Sequence, residues 1–158
     1  MSGAGAPTIT LDGTAGVRVV ILASSWHDLV MDGLIANAVS TCTQAGADTT
    51  VVRVPGSFEL GVAAMRAAKS GQFDAIVALG VIIRGGTPHF EFVSGATTDA
   101  LNRVGLDTGI PVGFGILTCD DDAQAIDRAG LPQSKENKGR EAAEAALAMV
   151  QTLRSLGW

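Results

Sequence analysis

The segment GVIIRGGTPHFEF, residues 80–92, gathers the side chains best suited to chemistry. Gly85 and Gly86 let the backbone come close to a ligand, and Thr87 adds a hydroxyl as the cap of a helix whose first position is Pro88. Backbone N–H groups at such a helix start attract anions, so the segment reads as an anion nest, although it matches neither a Walker loop nor a dinucleotide fingerprint. His89 falls in the first turn of the same helix. A lone histidine is more often structural, but one beside an anion nest is the better choice for a general acid or base.

Three further segments carry usable groups. Ser25-Trp26-His27 offers an indole face on which a flat heterocycle can stack, or which simply caps the core. Pro55-Gly56-Ser57-Phe58-Glu59 runs straight into a helix; the carboxylate of Glu59 can accept hydrogen bonds from a polyol, or only stabilise the helix dipole. Asp120-Asp121-Asp122 resembles a metal cluster, yet consecutive side chains diverge and no further ligand stands at the right spacing, so helix capping explains it better. Arg128 and Lys138 add cationic groups, of a kind usually just solvated. The residues alone reach a small enzyme that binds a planar, hydroxylated compound and a phosphorylated one, with a histidine moving protons.

Four apolar, β-branched runs must position these groups: residues 17–24, 49–54, 74–81 and 110–117. Pro111 suits the start of the last of them. Helical spacing fills the gaps. A first helix is capped by Asp28 and closed by Gly46, a second spans residues 57–70, a third runs from Thr87-Pro88 to about Val104, and a fourth spans residues 121–129. A fifth is capped by Asn137, with Ala142, Ala146, Met149, Val150 and Leu153 on one stripe. Strand–helix alternation with short links predicts an α/β, flavodoxin-like three-layer sandwich with a four-stranded parallel sheet flanked by helices. Residues 1–16 read as a tail with a short strand at residues 8–11, and residues 17–158 as one domain. Ligands in such sheets lie beyond the carboxyl ends of the strands, where the segments above begin.

Composition narrows the class. The 158 residues are 47% apolar and 17% charged, with 11 basic and 16 acidic side chains and a net charge of −5. Disordered and disulfide-scaffold classes are excluded, and the acidic balance argues against nucleic acid or an anionic membrane as partner. Cys42 and Cys119 form no C-x-x-C pair and read as buried residues in a reducing compartment. Residues 1–7 lack the basic and apolar regions of a leader, and no run approaches the ~18 apolar residues of a membrane span. The expected location is cytoplasmic.

The motifs VRVPGSFELGVAA, ALGVIIRGGTPHFEFV, PVGFGILTCDDDAQAIDRAG and ENKG, in this order, strongly resemble the lumazine synthase family over residues 17–156. That family condenses 5-amino-6-(D-ribitylamino)uracil with 3,4-dihydroxy-2-butanone 4-phosphate to 6,7-dimethyl-8-ribityllumazine, phosphate and water, the penultimate step of riboflavin synthesis, with no metal or organic cofactor. The resemblance implies that Trp26 stacks on the pyrimidine and that Ser57, Phe58 and Glu59 hold it with its ribityl chain. It further implies that the backbone of Val81, Ile82 and Ile83 reads the uracil edge, and that Gly86, Thr87 and Arg128 bind phosphate. His89 then carries the proton, Phe114 closes the ring pocket and Lys138 adds positive charge. Members assemble as pentamers, some further as 60-subunit icosahedral shells, with sites at subunit interfaces; Phe114, Arg128 and Lys138 would come from the neighbour. The stretch 131–136, with Pro132, is longer than in shell-forming members and favours the pentamer. Gly86 stands where relatives often carry Glu, Gln or Ala, Trp26 where many have Phe, and His27 where Asn is frequent.

Other readings are weaker. An archaeal-type riboflavin synthase shares the fold but not the GGTPHF loop or the Trp26 position. A catalytically idle paralogue would have no need of His89, Arg128 and the Gly-Gly-Thr nest together. A flavodoxin-like electron carrier would need a Ser/Thr-rich first loop, and this chain has no tyrosine.

Overall fold

The apolar runs pair as a parallel sheet. In the computed structural model, which describes Gly5 and residues 7–157, four strands, β1 (Arg18–Ser24), β2 (Asp48–Val54), β3 (Ala75–Ile83) and β4 (Val112–Cys119), lie in the order β2-β1-β3-β4. The helices between them are α1 (Asp28–Gln44), α2 (Leu60–Lys69), α3 (His89–Thr108), α4 (Asp122–Ile126) and α5 (Lys138–Ser155). Side chains alternate across a strand, and the core divides accordingly. Val19, Ile21 and Ala23 of β1 pack with α1 and α5 on one face, whereas Val20 and Leu22 pack with α2 and α3 on the other. These two apolar layers make the three-layer α/β sandwich anticipated above.

Several boundaries differ from the sequence reading. Residues 8–11 form no strand; Leu11 packs partly against the α1/α5 core, and the carbonyls of Asp12 and Gly13 accept hydrogen bonds from Gln151 and Arg154 instead. Most of residues 1–7, read above for a leader, lies outside the described residues. β2 is an edge strand and largely exposed, Val51 and Val52 included, not a buried one. β3 continues past Val81 to Ile83 because β4 keeps pairing with it, Ile82 opposite Thr118 and Ile83 opposite Cys119. β4 itself starts at Val112, and Pro111 contributes only its carbonyl, to Ile76 N–H at 2.9 Å.

Helix ends shift as well. His27, in the left-handed region at φ 61°, takes the cap position expected of Asp28. α2 begins at Leu60, after a turn in which Leu60 N–H reaches the Ser57 carbonyl. Pro88 sits at the cap of α3 in place of Thr87. That helix runs through Gly95 and Gly105, neither of which takes a positive φ, and ends at Thr108 rather than near Val104 because Gly109 adopts φ 73°. α4 stops at Ile126, and Met149 of the predicted α5 stripe is exposed while Leu147 is buried. Asp121 and Asn137 cap as expected, accepting from Gln124 N–H and Arg140 N–H.

Candidate active site

The strand order reverses direction between β1 and β3, and a cleft of about 520 Å³ opens beyond their carboxyl ends. The segment after β1 supplies Trp26 and His27, the turn after β2 supplies Ser57, Phe58 and Glu59, and β3 with its following loop supplies Val81, Ile82, Ile83 and Thr87. His89 enters from the first turn of α3. All of these but His27 were expected at the site from the sequence, so nine expected residues line a common cavity. Trp26 and Phe58 leave 66% and 62% of their surface exposed, so two aromatic faces stand open at the mouth.

Local structure explains the placement. β1 pairs with β3 only as far as Ala23 opposite Leu79, whereas β3 stays paired with β4 to Ile83. From Gly80 to Ile83 the backbone edge on the β1 side is thus free of strand pairing, and a buried peptide edge needs hydrogen-bond partners. Ser57 takes up part of it: its hydroxyl, nearly buried, donates to the Val81 carbonyl at 3.5 Å. The Ser57 carbonyl in turn accepts from Thr97 Oγ1 of α3 at 3.2 Å, tying the head of α2 to α3. Gly56 separates the Glu59 carboxylate from the Trp26 indole; a Cβ there would come within 3.0 Å of Glu59 Oε2 and 3.6 Å of Trp26 Nε1. An acceptor and a stacking ring are in this way presented side by side.

Beside the cleft, Gly85, Gly86 and Thr87 border a shallower depression with Arg84, Pro88 and Glu91. Gly86 lines that depression rather than the cleft, while Gly85 and Thr87 line both. The Arg84 guanidinium lies 2.9 Å from Asp120 Oδ1, is hydrogen-bonded to Glu91 Oε1, and stacks 4.2 Å from the centre of the Phe90 ring. It holds both carboxyls below the usual carboxylate range. His27 Nδ1 is 3.8 Å from Asp122 Oδ1, which brings the head of α4 to the same rim.

Besides Gly86, three expected site residues do not line the cleft. Phe114, 47% exposed, stands on the edge strand β4, in a separate apolar groove of about 490 Å³ lined by Leu101, Leu106, Val112, Met149 and Leu153 among others. A Cβ at Gly113 or Gly115 would overlap α5 or the sheet, so these glycines let the helix lie flush on one face of the strand. Phe114, between them, projects from the opposite face. Arg128 donates to the Gln124 carbonyl at 2.8 Å. Lys138 is largely buried between Glu136 and Glu141; burial works against its charge, but those two hydrogen bonds outweigh it and raise its pKa.

Sequence reasoning missed Phe90, Val93 and Arg84. Phe90 and Val93 form a cleft wall at i, i+3 spacing on α3, a signal available in the sequence. Nothing in the sequence showed that Arg84 reaches two carboxylates 7 and 36 residues away.

Comparison with known proteins agrees with this geometry. The sequence profile of 6,7-dimethyl-8-ribityllumazine synthase matches residues 16–154. A protein of that name from Leifsonia xyli is 62% identical over 158 residues, covering 99% of each chain. Those from Arthrobacter sp. and Streptomyces coelicolor are 56% and 54% identical, covering 98% and 99% of this chain and 98% and 97% of theirs. Among solved structures, a periplasmic ribose ABC transporter from Conexibacter woesei aligns with 69% of this chain and 33% of its own, at 15% identity and a TM-score of 0.45. With its parallel sheet, its cleft at the strand reversal and full-length relatives at this level of identity, the chain belongs to the 6,7-dimethyl-8-ribityllumazine synthase family.

Proposed function

We propose that the cleft beyond β1 and β3 is where this transferase carries out its family's reaction, the joining of 5-amino-6-(D-ribitylamino)uracil to 3,4-dihydroxy-2-butanone 4-phosphate with release of phosphate and water. The observation that carries the assignment is the convergence of Trp26, Ser57, Phe58, Glu59, Val81, Ile82, Ile83, Thr87 and His89 on one cavity. Trp26 stacks on the pyrimidine, the free backbone edge of residues 81–83 reads its polar rim, and Glu59 accepts hydrogen bonds from the ribityl chain. Gly86 and Thr87 hold the phosphate at the head of α3. The 5-amino group attacks the ketone to give an imine with loss of one water, and phosphate departs by elimination. The resulting enol tautomerises to a ketone, and the ribitylamino nitrogen attacks that ketone to close the second ring with loss of a second water. His89 carries protons through these steps. Holding two substrates together offers ~7–11 kcal/mol of the barrier, and proton transfer adds a further ~10²–10⁴-fold in rate.

The site is completed in a homo-oligomer, most simply a pentamer, in which Phe114, Arg128 and Lys138 of one subunit face the cleft of the next. Two observations support this. All three lie off the cleft in their own chain, and Phe114 stands in an apolar groove on the edge strand. Cleft and groove are unlike surfaces, so their contact is head-to-tail, and such contacts close into a ring where the rotation between neighbours divides the circle. Light scattering then gives about 80 kDa, five times 16.1 kDa; a mass near that of sixty subunits overturns the pentamer. The compartment is the cytoplasm, consistent with two buried free thiols.

The decisive assay gives purified protein both substrates and follows lumazine absorbance with phosphate release. Equimolar appearance of the two products is the expected result. Substrate binding without either product overturns the assignment and leaves an idle binding protein.

A further inference from the structure

We propose that Arg84 is a positioning residue, whose guanidinium struts the Gly85-Gly86-Thr87 loop and the first turn of α3 against the end of β4. The loop has little else to hold it. Side chains placed on Gly85 or Gly86 would meet nothing within 4 Å, Pro88 caps α3 without a side-chain hydrogen bond, and residues 84–89 are all exposed.

Arg84 is the last residue still in register, its N–H donating to the Cys119 carbonyl at 2.9 Å. From there the side chain makes three contacts. Nε reaches Asp120 Oδ1 at 2.9 Å, Nη1 reaches Glu91 on α3, and the guanidinium plane covers Phe90 at 4.2 Å. Phe90 and Glu91 follow His89 directly, so the strut grips the turn that carries the proton-transfer residue. Its far end is fixed too: Asp120 N–H donates to Gln124 Oε1 at 2.9 Å, and Gln124 N–H is held by Asp121. With two carboxylates on one guanidinium the cation is already neutralised, which makes Arg84 a poor counter-ion for phosphate and a good brace. A lysine cannot replace it, because a single ammonium does not bridge two carboxylates and stack on a ring at once. Exposed ion pairs add little to global stability, so the consequence falls on geometry, where ~1 Å of misplacement costs as much as ~10²-fold in rate.

The proposal rests on the assignment of Gly86 and Thr87 to phosphate, and the test separates the two. In the assembled enzyme, kcat and both KM values are measured for Arg84→Met, Arg84→Lys, Glu91→Gln and Thr87→Val, with melting temperatures. Arg84→Met is expected to lower kcat and raise the KM for the butanone phosphate by about tenfold. The KM for the ribitylaminouracil, held by the β1–α1 and β2–α2 segments and by residues 81–83, which pairing with β4 fixes independently of the Arg84 side chain, stays within about twofold. Arg84→Lys rescues only part of the loss, and Arg84→Met/Glu91→Gln is no worse than Arg84→Met alone. Should Arg84→Met fail to fold, Glu91→Gln, an exposed change, carries the same expected split between the two KM values. Unchanged kinetics, or both KM values rising together with a fall in melting temperature, overturns the proposal. A raised phosphate-substrate KM in Thr87→Val with none in Arg84→Met removes the strut alone, whereas an unmoved Thr87→Val removes the phosphate assignment and the strut with it.

Discussion

Gly61→Ala tests whether the cleft walls are set by the packing of α2 on α3. Gly61 is buried in the first turn of α2, and a Cβ there would stand 2.6 Å from the Ala100 methyl of α3. Carbon atoms rest at about 3.5–4.0 Å, so the helices must part by roughly 1 Å at that crossing. The heads of these two helices carry Phe58 and Glu59 on one side and His89 on the other, and the Thr97–Ser57 hydrogen bond, 3.2 Å, spans the same seam. Overpacking of this kind costs ~1–3 kcal/mol, which in a chain of this length lowers the melting temperature by roughly 2–4 °C per kcal/mol. The catalytic loss is larger, approaching ~10²-fold for a displacement of ~1 Å between reacting groups. The control is Gly61→Ala/Ala100→Gly. With the Ala100 methyl gone, the nearest atom is its Cα at 3.8 Å, an ordinary contact. Activity returns, and stability recovers to within the ~1 kcal/mol that a helical glycine costs. Turnover with both substrates and denaturant melts at fixed protein concentration read the outcome. A single variant with wild-type turnover, or a double variant no better than the single, refutes the reasoning.

Four other perturbations follow. His89→Ala slows turnover by ~10²–10⁴-fold yet leaves it measurable, because proximity supplies the rest; complete loss in a folded, substrate-binding variant contradicts this. Arg128→Lys loses two-pronged geometry and raises the KM for the phosphorylated substrate; an unchanged KM removes Arg128 from the site. Burial pushes the Cys42 thiol up to about 11, so thiol reagents at pH 8 leave it untouched in the folded protein and label it in denaturant; rapid native labelling of Cys42 argues otherwise. The Arg18 guanidinium holds the Asp74 carboxyl below the usual range. Such a carboxylate stabilises the fold above its unfolded pKa of ~3.9 and loses that contribution as pH falls through the lower folded value. Acid titration of Asp74→Asn is expected to show a shallower loss of stability over that window than the parent, and identical acid limbs reject the linkage.

The sheet was legible because its strands are continuous β-branched runs, and the cleft because ligand segments in a parallel sheet start where strands end. What escaped was whatever depends on neighbours distant in sequence. The run at residues 49–54, TTVVRV, is β-branched like a central strand, yet β2 lies at an edge; its two threonines and Arg53 were the only local hint of that place. β3 outruns Val81 because β4 is there to pair with it. His27 reads as an ordinary loop residue, although it bends into the left-handed region at the cap of α1. Arg84 reads as one more solvated cation, although three partners converge on it. Phe114 was named by resemblance alone, and the G-F-G alternation that turns it outward became meaningful only once α5 was seen against the glycines.

The separation of Phe114, Arg128 and Lys138 from the cleft also has a genetic consequence. In the proposed ring each catalytic centre is a junction between two polypeptides, one giving the cleft and the other the opposing half. A subunit crippled at His89 still donates a sound opposing half, and one crippled at Arg128 still offers a sound cleft. Mixed at random in equal amounts, two defective proteins rebuild intact junctions at about a quarter of positions. Two such missense alleles of this gene would therefore complement one another in the same cell, while either alone, diluted into wild-type rings, would cripple junctions only in proportion to its dose.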